Sequence, residues 1–110
     1  DLDTKPAVLG WSSESVVVPY KSPVDGRGHR YFVDFFAKVK TRDGSVINML
    51  IEVKPKSQTK EPKVKKRKTK AYINEVVTYG VNKAKWLAAE EYCKDRGWKF
   101  QILTENEIFG

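Results

Sequence analysis

The sequence predicts a single domain of the α/β class, with a mixed β-sheet flanked by helices. Two stretches of alternating residues are joined by an Asp43-Gly44 turn, which is typical of a β-hairpin. A helical stretch that ends at Gly97 follows, and another alternating stretch comes after it. The length of 110 residues suits one small hydrophobic core and excludes a two-domain reading.

The first part of the chain is predicted to hold one strand between two loops. Pro6 and Gly10 break any long element, so residues 1–10 are expected to be the tail of an upstream helix followed by a loop. Residues 15–20 (SVVVPY) form a β-branched run that ends near a proline, which favours a strand at a sheet edge. Residues 21–28 (KSPVDGRG) are rich in turn residues and predict a loop.

The hairpin is the clearest element in the sequence. Residues 29–40 (HRYFVDFFAKVK) alternate strictly and predict one strand, and residues 46–55 (VINMLIEVKP) predict the strand that returns after the turn. In the first strand, one face is expected to hold Tyr31, Val33, Phe35, Ala37 and Val39, and the other Arg30, Phe32, Asp34, Phe36 and Lys38. In the second, the faces are Ile47, Met49, Ile51 and Val53, and Asn48, Leu50, Glu52 and Lys54.

The second half of the chain reads as a basic loop, two helices, a strand and a short terminal helix. Residues 56–70 hold eight Lys or Arg and predict an exposed, mobile loop. Helical character resumes at Ala71, and a second helix is expected to begin at Asn82 as its N-cap and to stop at Gly97. Its buried stripe is predicted to be Trp86, Ala89 and Cys93, and residues 98–103 alternate as a strand.

Composition limits the classes of function. The net charge of +7 and the pI near 9.5 favour a polyanionic partner, without separating DNA, RNA and anionic lipid. No apolar run approaches the roughly 20 residues of a membrane span and no signal-peptide pattern is present, so we expect a soluble intracellular protein. Cys93 is the one cysteine of the sequence and His29 the one histidine, which excludes an internal disulfide and a zinc cluster. A core role for the Cys93 thiol is therefore favoured.

Two carboxylates interrupt the hairpin strands. Asp34 and Glu52 lie among apolar residues, where a carboxylate is costly unless it is paired or binds a metal. Pairing of the two strands allows Asp34 to lie opposite Glu52, and the strand period puts Lys54 on the same face as Glu52. Mg²⁺ prefers oxygen ligands, so two carboxylates and a carbonyl such as that of Val53 are suited to hold it. The alternative is that both carboxylates pair with Arg30, Lys38 or Lys54 on the sheet surface.

The three side chains have distinct roles in phosphodiester hydrolysis. A bound metal lowers the pKa of its water and neutralises charge that develops on the phosphate. Lys54 is suited to position the attacking water or to stabilise the phosphate in the transition state. Asp34, Glu52 and Lys54 are therefore the predicted catalytic residues.

Asp34 in RYFVDF and the Glu52-Val53-Lys54 element resemble the PD-(D/E)xK nuclease superfamily. With WSSESVVVPY, IEVKPK, INEVVTYGVNKAKW and FQILTE, nearly the whole chain resembles the head-completion nucleases of T-even-like bacteriophages. The resemblance implies a restriction-endonuclease-like fold over residues 1–110 and Mg²⁺ as cofactor, with Mn²⁺ as a substitute. It also implies an endo- or exonuclease that trims packaged DNA before head and tail join. Such an enzyme works in the host cytoplasm during assembly or on the virion, beside head or neck proteins.

The same resemblance implies an N-terminal helix before this sequence that contributes a further acidic residue. The chain begins with Asp1 and its one methionine is Met49, which favours a fragment with something upstream. Glu14, just before the first predicted strand, and Glu75, in the later helix, are candidates for this acid. The alternative for both is an exposed polar residue without a role in the site.

DNA contacts are expected from the basic loop. A phosphate clamp that binds DNA without reading its sequence is predicted from Lys56, Lys63, Lys65, Lys66, Arg67, Lys68 and Lys70, although such runs are also found as plain solvated surface. Trp11, Trp86 and Trp98 are candidates for base stacking, with Trp86 expected in the core instead. Two other functions stay open: a transposase-type or restriction or repair endonuclease subunit, and a non-catalytic DNA-binding or virion structural module.

Overall fold

The structure, a computed structural model, describes residues 7–109 and the side chains of residues 8–107. Its elements are β1 (Ala7–Ser13), β2 (Val17–Lys21), β3 (Gly28–Phe32), β4 (Phe35–Lys40), β5 (Val46–Val53), α1 (Lys70–Arg96), β6 (Lys99–Leu103) and α2 (Glu105–Phe109). A 3-10 turn at Lys56–Thr59 follows β5. None of the helices in this part of the chain has the length and apolar character to cross a membrane.

The strands form two sheets. The larger has the order β1-β4-β5-β6, in which β6 is parallel to β5 and the other neighbours are antiparallel. The smaller is an antiparallel ribbon of β2 and β3. A parallel pair needs a crossover connection, and here α1 makes it, packing against β2, β5 and β6. The mixed sheet with helices confirms the predicted α/β class and is consistent with a restriction-endonuclease-like fold.

The prediction of one strand over residues 29–40 is wrong. The chain bends at Val33 and Asp34, so β3 belongs to the ribbon and β4 to the larger sheet. Backbone groups at the bend bind the segment between β1 and β2: Val33 N–H donates to the Val16 carbonyl, and the Asp34 carbonyl accepts from Glu14 N–H at 3.0 Å. These bonds replace the ladder that a straight strand would have continued.

The bend also changes the phase of the alternation. Tyr31 and Val33 are both buried in the core beneath α1, in agreement with the prediction that they share one face. After the bend, Phe36 packs against that core, whereas Phe35 and Ala37 line the outer face of the larger sheet. The predicted face sets therefore hold on each side of Asp34 but not across it. In the second half of β5 they hold, because Leu50 and Glu52 are buried toward α1 whereas Ile51 and Val53 line the outer face.

The first strand occupies part of the segment predicted to be helix tail and loop. Residues 7–10 belong to β1, which pairs with β4, and the irregularity in register between Val8 and Gly10 is a bulge. Gly10 thus marks a bulge and not a break, which is a common role of glycine in a strand. The prediction for residues 1–6 lies outside the described residues.

The two predicted helices are one continuous helix. α1 begins after Thr69, whose hydroxyl accepts a hydrogen bond from Tyr72 N–H at 3.1 Å, and Asn82 is a buried residue in its middle. The predicted stop at Gly97 is confirmed, because that residue adopts φ 71°, the left-handed conformation that glycine favours. Burial of Trp86, Ala89 and Cys93 confirms the predicted stripe and the core role of the thiol.

Candidate active site

Asp34 and Glu52 meet where β4 and β5 come together. Asp34 lies at the bend before β4, and its Oδ2 accepts a hydrogen bond from Val53 N–H at 2.9 Å. Glu52 precedes Val53 at the end of β5 and is 4% exposed, on the side of the sheet that faces α1. The structure therefore brings the two predicted carboxylates together.

The electrostatics of the pair favour a bound cation or proton. The pKa of Glu52 is raised to about 7, first by burial and then by the adjacent Asp34 carboxylate, which accepts a hydrogen bond from the protonated form and repels the charged one. The Tyr31 hydroxyl and the Lys54 ammonium act in the opposite direction. Near neutral pH, the ionised form of Glu52 is held poorly by the protein alone.

Lys54 lies directly after β5 and is half-buried. Its backbone N–H donates to the Leu103 carbonyl at 3.0 Å, which extends the alignment with β6 past the end of the strand. The ammonium is near enough to Glu52 to lower the pKa of that carboxyl. All three predicted catalytic residues thus lie at one end of β5.

The described residues do not show the alternative, in which Asp34 and Glu52 form ion pairs on the sheet surface. Over residues 8–107, neither Asp34 nor Glu52 forms a salt bridge, and the one ion pair found there joins His29 to Asp25 at 2.9 Å. A buried carboxylate without a cation partner leaves oxygen lone pairs free for another ligand.

Tyr31 is a member of the site that the sequence did not reveal. The residue is 3% exposed, and its hydroxyl has no hydrogen-bond partner of regular geometry in the described part of the chain. Burial and the nearby charges of Glu52 and Asp34 raise the pKa of Tyr31 above its usual range. A straight strand would have put Tyr31 and Asp34 on opposite faces, and the bend at Asp34 brings them together.

The donor set fits a hard divalent ion. Two carboxylates beside backbone peptide groups offer oxygen ligands only, which suits Mg²⁺ and its retained waters. Within residues 8–107, no group of three or more His, Cys, Asp or Glu is placed to share a metal. Asp34, Glu52 and the Val53 carbonyl stay the predicted ligands.

Neither candidate for the further acid joins the pair. Glu14 is exposed and has φ 51°, and it contacts Asp34 through its backbone N–H, not through its carboxylate. Its conformation instead helps to hold the bend. Glu75 is exposed on α1, where it lines a groove of about 340 Å³ with Ser57 and Lys60.

The basic segment, residues 56–70, runs from the site to the start of α1. All seven predicted DNA-binding side chains in it are exposed: Lys56, Lys63, Lys65, Lys66, Arg67, Lys68 and Lys70. Part of the predicted loop is a 3-10 turn, and the ammonium groups of Lys65 and Lys68 lie 5.7 and 5.0 Å from the Tyr72 ring centre. Mobility of this segment stays a prediction.

The tryptophans are divided among three environments. Trp86 is in the core, as predicted, and Trp98 packs against Phe36 and Tyr92. Trp11 is 68% exposed on the outer sheet face, where it meets Phe35 edge to face. The exposed ring is therefore on the opposite side of the sheet from Glu52.

Comparison with known proteins shows the family of this chain. The family described as TnsA-like endonuclease N terminal matches residues 5–105, a span that contains Asp34, Glu52 and Lys54. The chain belongs to this family. PD-(D/E)xK endonuclease domains of this kind use divalent metal ions, in agreement with the oxygen donors of the site.

A curated relative covers almost the same span. The chain is 39% identical to the head completion nuclease of Enterobacteria phage T4, over 97% of this chain and 71% of the relative. No solved structure matches this chain. Family and relative agree on nuclease activity, which is the activity expected from the site.

Proposed function

We propose that this chain is a Mg²⁺-dependent deoxyribonuclease in which Asp34 and Glu52 hold the metal and Lys54 acts on the reacting phosphate. Mn²⁺ is the expected substitute. The observation that carries this proposal is the Asp34 carboxylate bound to Val53 N–H beside the buried Glu52, which forms no salt bridge within residues 8–107. Membership of an endonuclease family supports it independently.

Each residue of the site has a separable task. A metal ion held by Asp34 and Glu52 would supply a water of lowered pKa and positive charge for the phosphate. The Val53 N–H fixes the Asp34 carboxylate, so this ligand is oriented before the ion arrives. Glu52, with its pKa raised to about 7, is partly protonated at neutral pH, and a bound cation would favour its carboxylate form. Lys54 supplies a point charge for the attacking water or the phosphate oxygens.

For the biological setting, we propose a phage head-completion nuclease. Support comes from the 39% identity to the head completion nuclease of phage T4. In this role the enzyme trims packaged DNA before head and tail join, in the host cytoplasm or on the virion, in contact with head or neck proteins. A transposase-type or restriction or repair endonuclease subunit would carry the same site, and the genes that neighbour this one would separate the two settings.

We also propose that an upstream helix supplies a further acid and covers the outer face of the larger sheet. That face is apolar, lined by Val8, Trp11, Phe35, Ala37, Ile51, Val53 and Leu103. Within the described chain it is left open, with Val8 64% and Trp11 68% exposed. Burial of a patch of this kind is strongly favourable, so a covering segment is expected.

Incubation of the full-length protein with supercoiled and linear DNA tests the proposed activity. We expect cleavage with Mg²⁺ or Mn²⁺ and none with EDTA. DNA binding without cleavage under all conditions would support the non-catalytic DNA-binding or structural module instead. Cleavage that persists in EDTA would refute the metal-dependent mechanism.

The basic segment is expected to bind DNA without sequence preference. Replacing Lys65, Lys66, Arg67 and Lys68 by glutamine should weaken DNA binding and reduce the slope of log affinity against log salt by about three to four, because each phosphate contact releases a counterion. The matched control replaces four exposed lysines elsewhere: Lys38, Lys40, Lys94 and Lys99. If the slope of log affinity against log salt falls equally in both variants, the general positive charge of the protein, and not a local clamp, binds the DNA.

A further inference from the structure

A lysine of α1 lies beside the site. Lys85 is half-buried, and its Nζ lies 5.6 Å from the centre of the Tyr31 ring and 5.8 Å from that of the Tyr20 ring. Both distances are within the range at which an aromatic face attracts a cation. The two rings therefore hold the ammonium at a defined position.

The ammonium of Lys85 has no anionic partner in the described part of the chain. The one salt bridge there joins Asp25 and His29. Aromatic faces compensate part of the charge, but an ammonium has three N–H donors that rings satisfy poorly. Lys85 thus keeps both charge and donors for an external anion.

Tyr31 connects this ammonium to the carboxylates. Its ring lies 5.6 Å from the Lys85 Nζ, and its buried hydroxyl is close enough to Glu52 and Asp34 for their charges to raise its pKa. Lys85 comes from α1, whereas Lys54 comes from the end of β5, so the two cations approach the site from different elements. One tyrosine side chain separates the helix cation from the metal ligands.

We infer that Lys85 is a DNA phosphate-binding residue, which contacts a phosphate next to the one that a metal ion at Asp34 and Glu52 would bind. This inference rests on the proposed nuclease function. A compact ammonium suits a contact with the backbone because it recognises phosphate charge and not base sequence. Since the rings of Tyr20 and Tyr31 already order the side chain, little freedom is lost when phosphate binds.

The test compares Lys85→Met with Lys83→Met in full-length protein. Methionine keeps an unbranched stem and removes the charge. Lys83 is the matched control, because it is exposed on the same helix with its Nζ 5.8 Å from the Tyr79 ring. Affinity for uncut duplex is measured with Ca²⁺ at several salt concentrations, after melting curves show that each variant is folded.

Lys85→Met is expected to weaken DNA binding about five-fold at moderate salt and to lower the salt slope by about one, the effect of one lost phosphate contact. Lys83→Met should have a much smaller effect on both the affinity and the salt slope, and Lys85→Arg should retain wild-type binding. Equal behaviour of Lys85→Met and Lys83→Met would overturn the inference, even if the wild type cleaves with Mg²⁺. A salt slope lowered by about one in Lys85→Met alone, with no cleavage by wild type, would support the phosphate contact of Lys85 and refute the nuclease function.

Discussion

Lys54→Ala is expected to lower the rate of DNA cleavage by about 10²- to 10⁴-fold, because it removes the charge placed for the reacting phosphate. The fold should be unaffected, since the backbone N–H of Lys54, and not its side chain, bonds to the Leu103 carbonyl. Single-turnover cleavage with Mg²⁺ measures the chemical step. Binding to uncut DNA with Ca²⁺ should fall by less than about ten-fold, because one phosphate contact of many is lost.

Lys38→Ala is the matched control for this prediction. Lys38 is exposed on β4, so its removal takes away the same charge from the same sheet without entering the site. Cleavage by the control is expected at close to the wild-type rate. Equal losses in the two variants would mean that Lys54 contributes only general positive charge.

Glu52→Gln is expected to abolish cleavage and to stabilise the metal-free protein above neutral pH. The pKa of Glu52 is raised to about 7 in the fold, so between the unfolded value near 4.5 and 7 the folded state binds the proton more tightly. Wild-type stability should therefore fall as pH rises through this window and stay level above it. At pH 8 the variant should be more stable by about 1–3 kcal/mol, and the difference should vanish near pH 4.

Thermal melting of both proteins from pH 4 to 8 measures this difference, with and without Mg²⁺. Added Mg²⁺ should stabilise the wild type more than the variant, because the ion binds the ionised carboxylate. Glu91→Gln is the control, since Glu91 is exposed on α1 and should show no pH-dependent gain. If the stability of wild type and of Glu52→Gln changed in parallel with pH, ionisation of Glu52 would not be costly in the folded protein.

The grouping of the site could be predicted from the sequence because it depends on local rules. A period of two in β5 puts Glu52 and Lys54 on one face, and the Asp43-Gly44 turn fixes the hairpin that brings Asp34 to Glu52. The stop of α1 at Gly97 follows from the same kind of rule, since glycine adopts the left-handed conformation without strain.

Features that depend on tertiary packing escaped the sequence. The bend at Asp34 follows from hydrogen bonds to Val16 and Glu14, which no pattern within residues 29–40 signals. Tyr31 joined the site only because of that bend. Asn82 has the chemistry of an N-cap, yet it is buried where α1 packs on the core, and the helix continues through it.

Cleavage by Asp34→Asn tests the central claim most directly. The asparagine keeps the shape and an oxygen that can accept from Val53 N–H, while it removes the charge of one proposed metal ligand. With full-length protein and Mg²⁺ in excess, cleavage is expected to fall by at least about 10²-fold, as for loss of a catalytic charge, while DNA binding persists. Cleavage at the wild-type rate by Asp34→Asn would show that Asp34 and Glu52 do not form the metal site.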